Sequence, residues 1–132
     1  MIRLRTFVLF LLFLLPVGCA GVVFFGAGAA TGVVGYKYYK GALTVTFEAP
    51  LAQTLEATLT TLNNQNIRVE RTDRDATSAK IAARRFDKKP VNISLTYRSA
   101  KETEVEIRVG HIGNKNESLI LKDEIAKVLF GE

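Results

Sequence analysis

From Leu43 to Val109 the chain repeatedly alternates apolar and polar residues one for one. A period of two limits such a chain to a sheet with one oily face and one wet face. Leu43, Val45 and Phe47 alternate with Thr44, Thr46 and Glu48, and Ile67 and Val69 alternate with Arg68, Glu70 and Arg71. Ala79, Ile81 and Ala83 stand against Lys80 and Arg84; Val91, Ile93, Leu95 and Tyr97 stand against Asn92, Ser94, Thr96 and Arg98; Val105, Ile107 and Val109 stand against Glu104, Glu106 and Arg108. Asp73-Arg74-Asp75 and the stretch from Asp87 to Pro90 carry turn-forming residues between these runs.

Two stretches switch to helical spacing. Pro50 closes the first strand and suits the start of a helix, and Leu51, Leu55, Leu59 and Leu62 predict a helix of about 15 residues with one leucine stripe. Asn63, Asn64 and Asn66 end it. Leu121, Ile125, Val128 and Leu129 form a second stripe, with Asn116 as the expected N-cap and Gly131 just past the end. The expected architecture over residues 42–132 is therefore α+β: a five-stranded antiparallel sheet in the order β-α-β-β-β-β-α, with both helices covering its oily face. A domain this small buries only about 60 to 65% of the surface its unfolded chain exposes, so nearly every apolar position is needed in one core.

The first third of the sequence follows other rules. Arg3 and Arg5 precede an almost wholly apolar run over residues 6–15, and Pro16, Val17 and Gly18 lead to Cys19. That is the layout of a secretion signal, in which cations stay on the near side while a short hydrophobic helix enters the translocation machinery. The run Leu15-Pro16-Val17-Gly18-Cys19 resembles a bacterial lipobox, which implies cleavage after residue 18 and lipidation of Cys19. Pro16 stands where a leucine is usual. An uncleaved membrane helix containing Cys19 is the alternative. Ala20 follows the cysteine, and the lack of Asp there resembles a signal for passage to the outer membrane.

Residues 19–41 read as a glycine-rich, membrane-proximal tether. Val23 to Thr31 imitates the opening of a dinucleotide-binding fold, but Thr31 replaces the third glycine and no crossover unit follows. Gly28 and Gly32 have the spacing of a small-residue helix contact. Tyr36, Tyr38 and Tyr39 with Lys37 and Lys40 read as an interfacial girdle or as the beginning of a strand.

Charge and residue inventory narrow the function. The net +5 includes Arg3 and Arg5, so removal of the signal leaves 16 Lys+Arg against 13 Asp+Glu, a net of +3. That small excess, interleaved with acids, gives no basis for nucleic-acid binding. Cys19 is the only cysteine and His111 the only histidine, so neither an intrachain disulfide nor an ordinary zinc site is available, and no cofactor or metal is expected. Asp73 and Asp75 lack the rest of a calcium loop. The expected class is a non-catalytic interaction or structural module, anchored to the membrane and presenting its charged sheet face (Lys80, Arg84, Arg98, Glu104, Glu106, Arg108) to water or to an envelope protein partner. The alternative is a small-ligand or lipid carrier with a groove between sheet and helices lined by Phe47, Leu95 and Tyr97.

Several stretches taken together resemble one family. They are Gly26-Ala27-Gly28-Ala29-Ala30-Thr31-Gly32, the step from Tyr36 to Gly41, Ala49-Pro50-Leu51, Ser78-Ala79-Lys80-Ile81, and Ile107-Arg108-Val109-Gly110 with Gly113. In these the chain resembles the small, Gly-rich bacterial lipoproteins classed as domain of unknown function 3568. The resemblance implies an envelope location, in the outer membrane facing the periplasm, and assigns no activity.

Overall fold

The computed structural model describes residues 32–131. Cys19, the signal segment and the Gly28 spacing lie outside the described residues. The element order is β1 (Val33–Tyr39), β2 (Ala42–Phe47), α1 (Leu51–Asn64), β3 (Arg68–Arg74), β4 (Ser78–Arg84), β5 (Pro90–Ser99), β6 (Glu102–Val109) and α2 (Lys115–Phe130). All neighbouring strands are antiparallel, in the order β1-β2-β6-β5-β4-β3. Helix α1 carries the chain from β2 to the far edge, and the meander β3 to β6 then winds back to pair with β2. No helix among the described residues is long and apolar enough to cross a membrane.

The sheet has six strands where five were expected. The additional strand, β1, comes from the stretch read as tether, and it pairs with β2 from Val33↔Phe47 to Tyr39↔Ala42. Its sequence hides the period because the register shifts between Val33 and Gly35 and because an edge strand buries little on either face. Tyr38 packs against the core, while Tyr36 lies beneath the Lys122 ammonium of α2, 3.9 Å from the ring centroid. A cation–π contact thus fastens the edge strand to a helix.

One oily face does collect the core. Leu43, Val45, Phe47, Ile81, Ile93, Leu95, Val105 and Ile107 are almost fully buried beneath the two helices. Leu51, Leu55 and Leu62 of α1 and Leu121 and Ile125 of α2 meet them. Two helical expectations need correction. Leu59 is only partly buried, and Thr54, Thr58 and Thr61 fill the inner side of α1 instead. Small side chains let the helix sit close, and the Thr54 and Thr58 hydroxyls donate to the carbonyls of Pro50 and Thr54 at 2.9 and 2.7 Å, so their burial is satisfied locally. In α2, Val128 is 42% exposed rather than part of the buried stripe.

The helix ends follow from local chemistry. Asn66 adopts left-handed backbone (φ 58°) past α1, and the Ile67 N–H returns to the Leu62 carbonyl at 2.8 Å. The N-cap of α2 is Asn114 rather than Asn116, because its side chain lies three residues before Glu117 and accepts that residue's N–H at 3.0 Å. Gly131 closes α2 in left-handed conformation, donating to Lys127.

Candidate functional site

The antiparallel register sorts the connections into two groups. At one end lie the start of β1 and the β2–α1, β3–β4 and β5–β6 connections. At the other lie the β1–β2 turn, the α1–β3 connection, the β4–β5 turn and the β6–α2 loop. The second end, opposite Gly32, holds three of the most exposed large apolar side chains: Ile112 at 89%, Phe86 at 86% and Tyr39 at 68%. Tyr39 ends β1, Phe86 lies on the β4–β5 turn and Ile112 on the β6–α2 loop.

These turns are held together by backbone. The Gly110 N–H donates to Pro90 at 2.7 Å, the Arg85 N–H to Lys89 at 3.0 Å, and the Gly41 and Gly113 backbones are in direct contact. Beside them Glu117 receives both the Arg85 guanidinium and, at 3.2 Å, the Lys89 ammonium. Partial burial raises the affinity of Glu117 for its proton, but the hydrogen bonds and charges of Arg85 and Lys89 outweigh it, holding the carboxyl below its ordinary value of 4.5. A depressed carboxylate contributes stability above the unfolded value, and that contribution is lost as pH falls through the folded value. Glu117→Gln is therefore expected to cost about 1 to 2 kcal/mol at neutral pH. It should also flatten the acid limb of a stability profile measured by urea unfolding below pH 4.5. An unchanged limb would remove Glu117 from the set of groups that link stability to pH.

A shallow cleft of ≈ 210 Å³ opens between the end of α1, the start of α2 and the sheet, with Asn66, Phe86, Glu117 and Ile120 among its walls. It falls below the usual size of a small-molecule pocket. Around Phe86 the surface is basic, with Arg68, Arg84, Arg85 and Lys88 against Glu70. Arg84 is spent on Glu70 at 2.6 Å and on the Lys88 carbonyl at 3.0 Å, whereas Arg68 and Lys88 form no ion pair among the described residues. His111 is exposed on the β6–α2 loop, and no cluster of metal-ligating side chains occurs among the described residues.

The outer face of the sheet is the other large surface. Its middle strand, β6, carries Glu104, Glu106 and Arg108, which stand between the small side chains of Thr44 and Thr46 on β2 and of Ser94 and Thr96 on β5, with Ala82 and Lys80 beyond on β4. Of the charges expected to pair there, Arg98 meets Glu104 at 3.5 Å, while Arg84 turns to the neighbouring edge strand. The groove expected from Phe47, Leu95 and Tyr97 needs correction. Phe47 and Leu95 are sealed in the core and Tyr97 is 46% exposed at the end nearer Gly32, so they do not share a cavity wall. A family model described as a protein of unknown function (DUF3568) matches residues 2–128.

The chain belongs to the DUF3568 family. The match takes in the N-terminal segment and nearly all of the α+β domain of this DUF3568 protein. No curated protein matches it. Sequence reading missed the turn end of the molecule, because Glu117 lies 28 residues from Lys89 and 32 from Arg85 and meets them only through the tertiary fold. The available local signal was Phe86, an apolar residue within a polar turn.

Proposed function

We propose that this DUF3568 protein is a non-catalytic module of the bacterial cell envelope, tethered through lipidated Cys19 after loss of residues 1–18 and docking an envelope protein on the outer face of its sheet. The observation that carries the reading is the order of the N-terminal segment: two arginines, an apolar run, and a lone cysteine after Gly18. The outer face of the sheet, which neither helix covers and which carries a central charged row (Glu104, Glu106, Arg108) between small polar side chains, supports docking rather than enclosure of a ligand. The outer membrane, facing the periplasm, is the location favoured by Ala20.

Palmitate labelling with membrane fractionation tests the tether. Wild-type chain should carry label and sediment with membranes, and Cys19→Ser should lose the label. Unlabelled wild type that stays in the membrane would replace the lipid anchor with an uncleaved apolar helix.

A further inference from the structure

We infer that the turn end of the domain is a contact site for an anionic lipid surface, with Tyr39, Phe86 and Ile112 entering the interface and the surrounding cations meeting headgroup phosphates. The three apolar side chains stand at separate places, Tyr39 at the end of β1, Phe86 on the β4–β5 turn and Ile112 on the β6–α2 loop, and do not share one groove. Separate knobs fit a deformable medium better than a rigid partner, which needs a complementary pocket for each. Cations stand near the knobs, with Lys40 beside Tyr39, Lys88 two residues after Phe86, and Arg108 on the run that leads to Ile112, while Arg85 is taken up by Glu117 and Asp87. Lys40, Arg68, Lys88 and Lys115 make no ion pair among the described residues, so their charge is available to an anionic partner.

The backbone supports the same assignment. Lys40 and Lys88, next to or near the knobs, sit in left-handed conformation (φ 50° and 69°), a backbone state that residues other than glycine rarely adopt. Both turns are held in sharp reversals that lift their neighbours outward. Reach is sufficient as well, and this point rests on the Cys19 tether. Residues 19–31 span up to about 45 Å when extended, against about 23 Å for the length of β1, so an anchored chain can bring the far end to the same bilayer.

The sequence contains no tryptophan, which makes single-tryptophan reporters possible. Phe86→Trp and Ile112→Trp replace exposed side chains and leave the core alone, and Tyr97→Trp reports from the opposite end. The full chain carrying each reporter is reconstituted into vesicles of phosphatidylcholine alone or mixed with phosphatidylglycerol, with brominated lipid as quencher. Addition of phosphatidylglycerol should shift emission at 86 and 112 to shorter wavelength and bring on quenching, with position 97 unchanged and high salt reversing the effect. Removing Lys88 or Arg68 should reduce the ratio of docked to undocked ends about fivefold each. Emission at 86 and 112 that ignores lipid charge overturns the inference. So does equal quenching at 97, or a shift that appears only when envelope protein is added, which would assign the surface to a protein. The palmitate experiment reports the anchor separately, so a chain that carries the label and still shows no charge-dependent shift at 86 and 112 overturns this inference and leaves the anchor standing.

Discussion

Phe47→Ala should lower the stability of the domain by about 3 to 5 kcal/mol, a large share of what a domain of this size possesses. Phe47 is fully buried on β2, opposite Thr103 of β6 and Val33 of β1, and its ring lies 6.4 Å from that of Phe130 near the end of α2. Removing it empties the place where two strands and the last turn of a helix meet. Thr103 cannot collapse into the space, because its hydroxyl is committed to the Ala49 carbonyl at 2.8 Å. At roughly 4 to 8 °C per kcal/mol for a chain of about this length, the melting temperature should fall by at least 12 °C. Thermal unfolding followed by circular dichroism measures it. Phe47→Leu should recover a good part of the loss, and an alanine variant within about 1 kcal/mol of wild type would mean that this end of the core is not packed as described.

Gly113→Ala should be the most damaging change on the surface. Gly113 has φ 97°, and a Cβ there would overlap the backbone of Gly41, which itself has φ 82° and faces the Ile112 carbonyl. Backbone cannot rotate aside as a side chain can, so the cost combines left-handed strain with displacement of a whole turn, about 3 kcal/mol in all. Gly110→Ala separates the two contributions. Its φ is 82°, but the new methyl would meet only the Lys89 methylenes at 3.6 Å, so it should cost roughly 1 kcal/mol. Once Gly113→Ala has parted the β1–β2 turn from the β6–α2 loop, adding Gly41→Ala should cost much less than it does alone. Urea midpoints of the four variants, including the double one, measure this. Equal and additive losses at 110, 113 and 41 would show that strain acts alone and that the two turns do not depend on each other.

This contact gives physical content to part of the family resemblance. The step from Tyr36 to Gly41 and the run from Ile107 to Gly113 are 66 or more positions apart in sequence at their nearest ends, yet Leu43 pairs with Ile107 and the two glycines touch. The motifs are two halves of one close approach. The polar outer face and the burial of Val45, Ile93 and Ile107 followed directly from alternation, and the C-terminal ends of both helices followed from asparagine and glycine chemistry, whereas the start of α2 fell to Asn114 instead of Asn116.

What the sequence by itself determined was everything that one-sided burial writes locally: a two-residue period over Leu43 to Val109, a helical period over Leu51 to Leu62, and hence an antiparallel sheet with two helices on its apolar face. Tertiary structure decided the rest. It drew Val33–Tyr39 into the sheet, because an edge strand held by backbone hydrogen bonds and a lysine over a tyrosine ring needs no regular apolar spacing. It also placed Tyr39, Phe86 and Ile112 at one end and closed Glu117 onto Arg85 and Lys89. Those meetings depend on strand register and on the path of α1 across the sheet, which bring together residues that no local period connects.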